Sequence, residues 1–248
     1  MAPPSAESPS STAVILLDIE GTTTPVAFVY GTLFPFARTR VRAFLEAHGD
    51  DPEIRAIVAD LQAEIASADA GSAAASREPR GDRTNAIVSY VEWLMDRDRK
   101  SRPLKALQGR IWEDGYASGA LAGEVYPDVA PAFARWTSQG LRLAIFSSGS
   151  VLAQRLLFGH SNAGDLTPHL SAFFDTAVGA KGDAASYRRI AEALATPPSA
   201  ILFVSDVVAE LDAARTAGFD TRLCVRPPAH TPSSPAHAVV ESFATLEP

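Results

Sequence analysis

The chain of 248 residues predicts an α/β fold: a doubly wound, mostly parallel, Rossmann-like sheet with an all-helical cap domain inserted after its first strand. Three observations carry this. Continuous apolar runs, the mark of strands covered on both faces, alternate with amphipathic segments through the second half of the chain. Residues 25–123 break that alternation, with apolar residues recurring at helical spacing and no strand-like run. Acidic, hydroxyl and basic residues stand just beyond the carboxyl ends of the runs, where open α/β sheets bind their ligands.

In chain order, residues 1–12 read as a disordered tail, with neither the basic cluster nor the apolar stretch of a signal or transit peptide. Residues 13–17 form an unbroken apolar run closed by Asp18. The insert follows. Leu33, Ala37, Val41, Phe44 and Leu45 mark one helical face; Ile54, Ile57, Val58, Leu61 and Ile65 a second; Ile87, Val91, Leu94 and Met95 a third; Leu104, Leu107 and Ile111 a fourth. Residues 69–82, rich in Ala, Ser and Gly, read as a loop within this bundle. Strand-like runs return at 141–146, 173–178, 201–204 and 222–225, giving five strands in all. Helices are expected at 129–138 before Gly140, 151–158 before Gly159, 184–195 before two prolines, and 208–217 before Gly218. Residues 227–236 read as a second loop. The domains are thus 13–24 with 124–248 as the catalytic core and 25–123 as the helical cap, placed over the strand ends where it could close a site against water.

Composition narrows the function. A hydrophobic content of 46% supports a sizeable core, and 22 basic against 29 acidic residues give a net charge of -7, which opposes binding to nucleic acid. No apolar stretch approaches the roughly 20 residues of a membrane helix. A single cysteine, Cys224, rules out an internal disulfide and suits strand packing in a reducing compartment. A soluble, cytoplasmic monomer is expected.

Chemistry concentrates in Asp18-Ile-Glu-Gly-Thr-Thr-Thr-Pro25, where two carboxylates leave a buried strand and enter a glycine turn. Ser147-Ser148-Gly149-Ser150 follows the second run and opens a helix, so its hydroxyls and free amides suit a phosphate. Lys181 follows the third run; Asp206 ends the fourth, with Glu210 four residues on. Each taken alone would read as a surface residue or a helix cap. Together they set an acid, hydroxyls, a cation and a second acid at successive strand ends: two acids to hold magnesium, and lysine and hydroxyls to neutralise a phosphate attacked by the first carboxylate.

These segments resemble the acireductone synthases, or enolase-phosphatases, of the haloacid-dehalogenase-like superfamily. Further matching stretches are Leu33-Phe-Pro-Phe-Ala-Arg38, Trp93-Leu-Met-Asp-Arg-Asp-Arg-Lys100, Leu107-Gln-Gly-Arg-Ile-Trp112, Val125-Tyr-Pro-Asp-Val129 and Leu156-Leu-Phe-Gly-His-Ser161. The superfamily generally has a second aspartate two residues after the nucleophile; Glu20 at that place agrees with the enolase-phosphatases. The resemblance implies enolisation of 2,3-diketo-5-methylthiopentyl-1-phosphate, then phosphate removal through an aspartyl-phosphate to give an acireductone in methionine salvage. It implies Asp18 as nucleophile and magnesium ligand, Glu20 as general acid/base and second ligand, Asp206 as third ligand, and Ser147, Ser148 and Lys181 as substrate-binding residues. Glu210 falls behind them, orienting the metal site. The enolisation base stays open between Glu20 and Lys181.

Phe28, Trp93, Met95 and Trp112 could wall a methylthio tail, but aromatic and methionine residues at helical spacing more often form core. His160 reads as a structural hydrogen-bonding residue, and His48, His169, His230 and His237 show no metal-ligand spacing. The competing readings are a phosphatase for another small metabolite, a phospho-accepting signalling receiver, and a binding module without catalysis. A receiver carries its lysine on the last strand, whereas here Asp206 follows Lys181.

Overall fold

A computed structural model describes residues 12–67, 83–97, 99, 101–229 and 236–248. The expected tail (apart from residue 12), the loop at 69–82 and most of the loop at 227–236 lie outside the described residues. In chain order the elements are β1 (Val14–Leu17), a short α1 (Val26–Phe28) running through a π turn into α2 (Phe34–His48), α3 (Pro52–Ser67), α4 (Arg83–Asp96), α5 (Arg102–Ala117), α6 (Val129–Ser138), β2 (Arg142–Phe146), α7 (Val151–Gly159), β3 (Leu170–Phe174), α8 (Ala184–Ala193), β4 (Ile201–Ser205), α9 (Val208–Thr216), β5 (Asp220–Cys224) and β6 (Ala238–Val240).

The six strands form one parallel sheet in the order β3-β2-β1-β4-β5-β6. The chain winds outward from β1 through β2 to β3, then returns to lay β4 on the other side of β1. That reversal is the switch point at which open α/β sheets bind ligands, and it lies between β1 and β4. A receiver-type sheet has the order 2-1-3-4-5 instead, which excludes that reading.

β1 and β4 are central and buried on both faces, which is why their sequences are continuously apolar. Val14, Leu16, Ala144, Phe146, Ile201 and Phe203 pack on one face against Tyr187 and Ile190 of α8 and Leu211 and Ala214 of α9. α6 covers β2, and its Phe133 ring meets Phe158 of α7 at 6.1 Å. Ser150 and Asp183 cap α7 and α8 by accepting from the amides of Ala153 and Ala185.

Two strands differ from the sequence reading. β3 spans 170–174, not 173–178, because the Asp175 carboxylate accepts from the Ala177 amide at 2.8 Å and turns the chain out of the sheet. β6 was not anticipated; it is a three-residue edge strand just after the expected second loop, pairing with β5 and too short to leave a pattern. β5 begins two residues earlier than expected.

The chain divides into two compact units, one formed by residues up to Val26 and from Gly123 onward, the other by Ala27–Ala122. Within the second, α2 to α5 bury Ala37, Val41, Phe44, Ile54, Leu61, Val91, Leu94, Leu107 and Ile111, the faces that the periodicity marks. Gly115 lets α5 approach the Phe36 ring, which any Cβ there would strike.

Phe203 is fully buried on a central strand with its ring 5.2 Å from Tyr187. Phe203→Ala should lower unfolding stability by roughly 3–5 kcal/mol, read from urea denaturation at unchanged slope.

Candidate active site

Asp18 sits one residue past β1, almost fully buried, with its amide donating to the Val204 carbonyl of β4 at 3.0 Å. Its Oδ1 accepts from the Ile19 amide at 2.7 Å. The turn that follows is wound around the Ile19 carbonyl, which accepts from the amides of Thr22, Thr23 and Thr24. The Thr23 hydroxyl donates to the Asp18 carbonyl. Gly21 holds a left-handed φ of 67°, and a Cβ there would collide with the Asp206 carboxylate, so glycine is required on both grounds. Glu20 lies in this turn, its backbone bridged to Thr24.

Lys181 reaches Asp18 from the loop after β3. Its Nζ is 2.6 Å from Asp18 Oδ1 and 2.6 Å from Glu210 Oε2, and the Tyr187 hydroxyl donates to its main-chain carbonyl at 2.7 Å. Burial alone would lower the pKa of this ammonium, but the Asp18 and Glu210 carboxylates outweigh it and hold Lys181 above its ordinary value. Ser205, the last residue of β4, puts its hydroxyl 3.1 Å from both Asp18 Oδ2 and Glu210 Oε2. Burial, then the Asp18 charge, push Glu210 upward, with Lys181 acting against them.

Asp206 follows on β4. Its residue surface reaches solvent, yet the neighbouring protein and the Asp18 carboxylate push its pKa up to about 7. At the end of β2, the Ser147 amide donates to the Phe174 carbonyl, and its Oγ accepts from the Gly149 amide. Ser148 is exposed beside it. Gln154 Nε2 donates to the carbonyls of Gly149 and Phe174 and so ties this serine loop to β3.

The structure therefore brings Asp18, Lys181 and Glu210 into direct contact, with Asp206 close enough to feel the Asp18 charge. Ser147 and Ser148 lie at the adjoining end of β2. Among the described residues no three His, Cys, Asp or Glu side chains stand together as a metal cluster. Sequence reasoning missed Ser205, Tyr187 and Gln154; only Ser205 carried a signal, as a polar residue closing an apolar run. Trp112 is buried with its Nε1 donating to the Leu33 carbonyl, which is core behaviour, and Trp93 stacks on Tyr90. His160 ends α7, and its amide donates to the Leu156 carbonyl. His169 and His237 bond to Thr137 and Thr221. His230 lies outside the described residues. Burial pushes the Cys224 thiol up to about 12, consistent with packing.

Residues 12–218 match the haloacid dehalogenase-like hydrolase family. The chain is 56% identical over 219 residues to enolase-phosphatase E1 of Synechococcus elongatus, covering 88% of this chain and 91% of that protein. To the protein of the same name from Frankia alni it is 48% identical over 239 residues, 95% of each chain. Among solved structures, the Unknown transcript 4 protein of Saccharomyces cerevisiae superposes with a TM-score of 0.79 at 32% identity, over 95% of this chain and all of that one.

A raised carboxylate pKa stabilises the fold at low pH, and that contribution is lost as pH rises through the folded value. In chelator, Asp206→Asn should therefore raise the melting temperature at about pH 8, with the gain shrinking as pH falls through about 7 toward 4. A gain that is the same at both ends of the range would contradict the assignment.

Proposed function

The chain belongs to the haloacid dehalogenase-like hydrolases and, among them, to the enolase-phosphatases, and on that premise we propose that Asp18, Glu20, Ser147, Ser148, Lys181 and Asp206 carry its chemistry. The enzyme converts 2,3-diketo-5-methylthiopentyl-1-phosphate to an acireductone, the step of methionine salvage that this family name denotes. The observation that carries the assignment of roles is the contact of Lys181 with Asp18 at the sheet's switch point.

Enolisation comes first. A base must take a carbon-bound proton next to a carbonyl while the oxygen gains charge. Lys181, kept as an ammonium by two carboxylates, is poorly placed to accept that proton. Glu20 is therefore our base, and Lys181 serves the developing negative charge. In the second reaction an Asp18 oxygen attacks phosphorus, the bond from phosphorus to the substrate oxygen breaks, and Glu20 returns a proton to the leaving oxygen. Water then attacks the aspartyl-phosphate with Glu20 as base, releasing inorganic phosphate and restoring Asp18. Ser147, Ser148 and Lys181 hold the phosphoryl oxygens throughout.

The donor set suits magnesium: Asp18 and Asp206 offer hard oxygen donors just beyond two neighbouring strands, and burial together with the Asp18 charge raises Asp206, a cost that a bound cation would relieve. Glu20, in the turn that follows Asp18, would contribute a further oxygen. Bound there, magnesium supplies charge neutralisation for the phosphate and for the enolate oxygen. Glu210 orients Lys181 and, with Ser205, the Asp18 carboxylate. No helix among the described residues is long and apolar enough to cross a membrane. We take a monomer in the cytoplasm as the working form, in keeping with a single buried thiol.

Asp18→Asn should abolish phosphate release measured with magnesium present, while still exchanging the substrate's carbon-bound proton with deuterium, followed by NMR. Glu20→Gln should slow both reactions by about 10²–10⁴-fold. Normal exchange in Glu20→Gln together with lost phosphate release would transfer the base to another residue.

A further inference from the structure

Arg226 is buried two residues past the end of β5, and the mechanism above gives it no task. Its guanidinium donates twice to one oxygen, the Thr22 carbonyl, through Nε at 3.0 Å and Nη2 at 2.8 Å. Nη1 meets Asp128 Oδ2 at 2.6 Å, and that oxygen also accepts from the Ser242 hydroxyl and the Phe243 amide. The guanidinium lies against the Tyr126 and Phe243 rings, 4.4 Å from each centroid. A buried charge held this completely is unlike a surface arginine that drifts onto a carbonyl.

We propose that Arg226 is a positioning residue for catalysis: by fixing the Thr22 carbonyl it sets the Glu20-Gly21-Thr22 turn, and through it the Glu20 carboxyl and the close seat of Asp206 against Gly21. Nothing else of side-chain origin is bonded to the Thr22 carbonyl among the described hydrogen bonds. On the other side, the Tyr126 amide holds the Thr23 carbonyl at 3.0 Å, so the turn is gripped at two successive carbonyls by neighbouring residues of one cluster. The Gly21 clearance makes the arrangement sensitive, because a turn displaced toward Asp206 collides with its carboxylate. Lysine cannot replace the fork, since one ammonium offers neither the planar pair of donors to Thr22 nor the flat face to the two rings.

The inference rests on the enolase-phosphatase reading, and the experiment separates the two. Arg226→Lys and Arg226→Ala are compared with the wild type by circular dichroism, by hydrogen exchange of the peptide covering residues 19–24, and by kcat and KM for phosphate release. Expected are native circular dichroism, faster exchange confined to 19–24, and a kcat reduced about 100-fold with KM nearly unchanged, the signature of a reacting group out of place. Guanidinium at about 50 mM, far below its denaturing range, should refill the aromatic slot of Arg226→Ala and restore much of both kcat and protection, whereas ammonium should not. Unchanged exchange at 19–24, or a kcat within about threefold of wild type in Arg226→Lys, would overturn the proposal. Should Arg226→Ala fail to fold, Arg226→Lys decides by the same two readouts. A wild-type protein that releases no phosphate would sink the reaction assigned above, and hydrogen exchange would still judge the anchor.

Discussion

The Lys181 ammonium, lodged between the carboxylates of Asp18 and Glu210, is the contact on which the rest of the arrangement depends. All three groups are largely withdrawn from water, and removing one partner of such a set leaves a charge without compensation, a far larger penalty than the set's net worth to stability. Its members come from the end of β1, the loop after β3 and the first turn of α9. The reversal of strand order between β1 and β4 brings those three places to one edge of the parallel sheet. Tyr187, buried under the sheet and bonded to the Lys181 carbonyl, joins this contact to the apolar core, so that the lysine's backbone is fixed by packing and not only by charge.

Ser205 adds a constraint of its own. A hydroxyl has one proton, and here it has two carboxylate neighbours, Asp18 and Glu210, while its oxygen also accepts from the Val207 amide. If Ser205 donates to Asp18, the approach of Glu210 is favourable only when Glu210 brings a proton or leans on Lys181. Burial and the Asp18 charge raise Glu210, and the Lys181 ammonium 2.6 Å from its Oε2 opposes them. The hydroxyl thus keeps Asp18 Oδ2 bonded without neutralising it, which suits the attacking role proposed for this carboxylate.

What the sequence revealed follows from how each feature is written into it. Central strands write their double burial as unbroken apolar runs, so β1, β2 and β4 were legible, and Asp18, Ser147 and Asp206 with them because they stand at the ends of those runs. The edge strands β3 and β6 face solvent on one side and leave a weaker trace, which is why one was displaced and the other missed. Periodicity disclosed the four helices of the insert but not the use of their outer faces. Arg226 and Tyr187 escaped notice because their partners are contacts of topology: Arg226 reaches a carbonyl 204 residues away, and no local spacing encodes that.

The charge at this edge sets a final condition on the chemistry. Asp18 and Glu210 flank the ammonium of Lys181, with Asp206 close by and Glu20 in the adjoining turn, so the edge is already anionic before a phosphate arrives, and a phosphate ester would bring further negative charge. Serine hydroxyls and the amino end of α7 offer partial charges only. A second cation would let the substrate and the proposed nucleophile approach within bonding distance. The pair proposed to hold it is Asp18 and Asp206, and burial first, then the Asp18 charge, lifts Asp206 to about 7. Under the proposed roles one electrostatic fact would serve both reactions: a cation held at these carboxylates would neutralise a phosphate and an enolate oxygen alike, so a single set of strand ends would suffice for two chemically different steps.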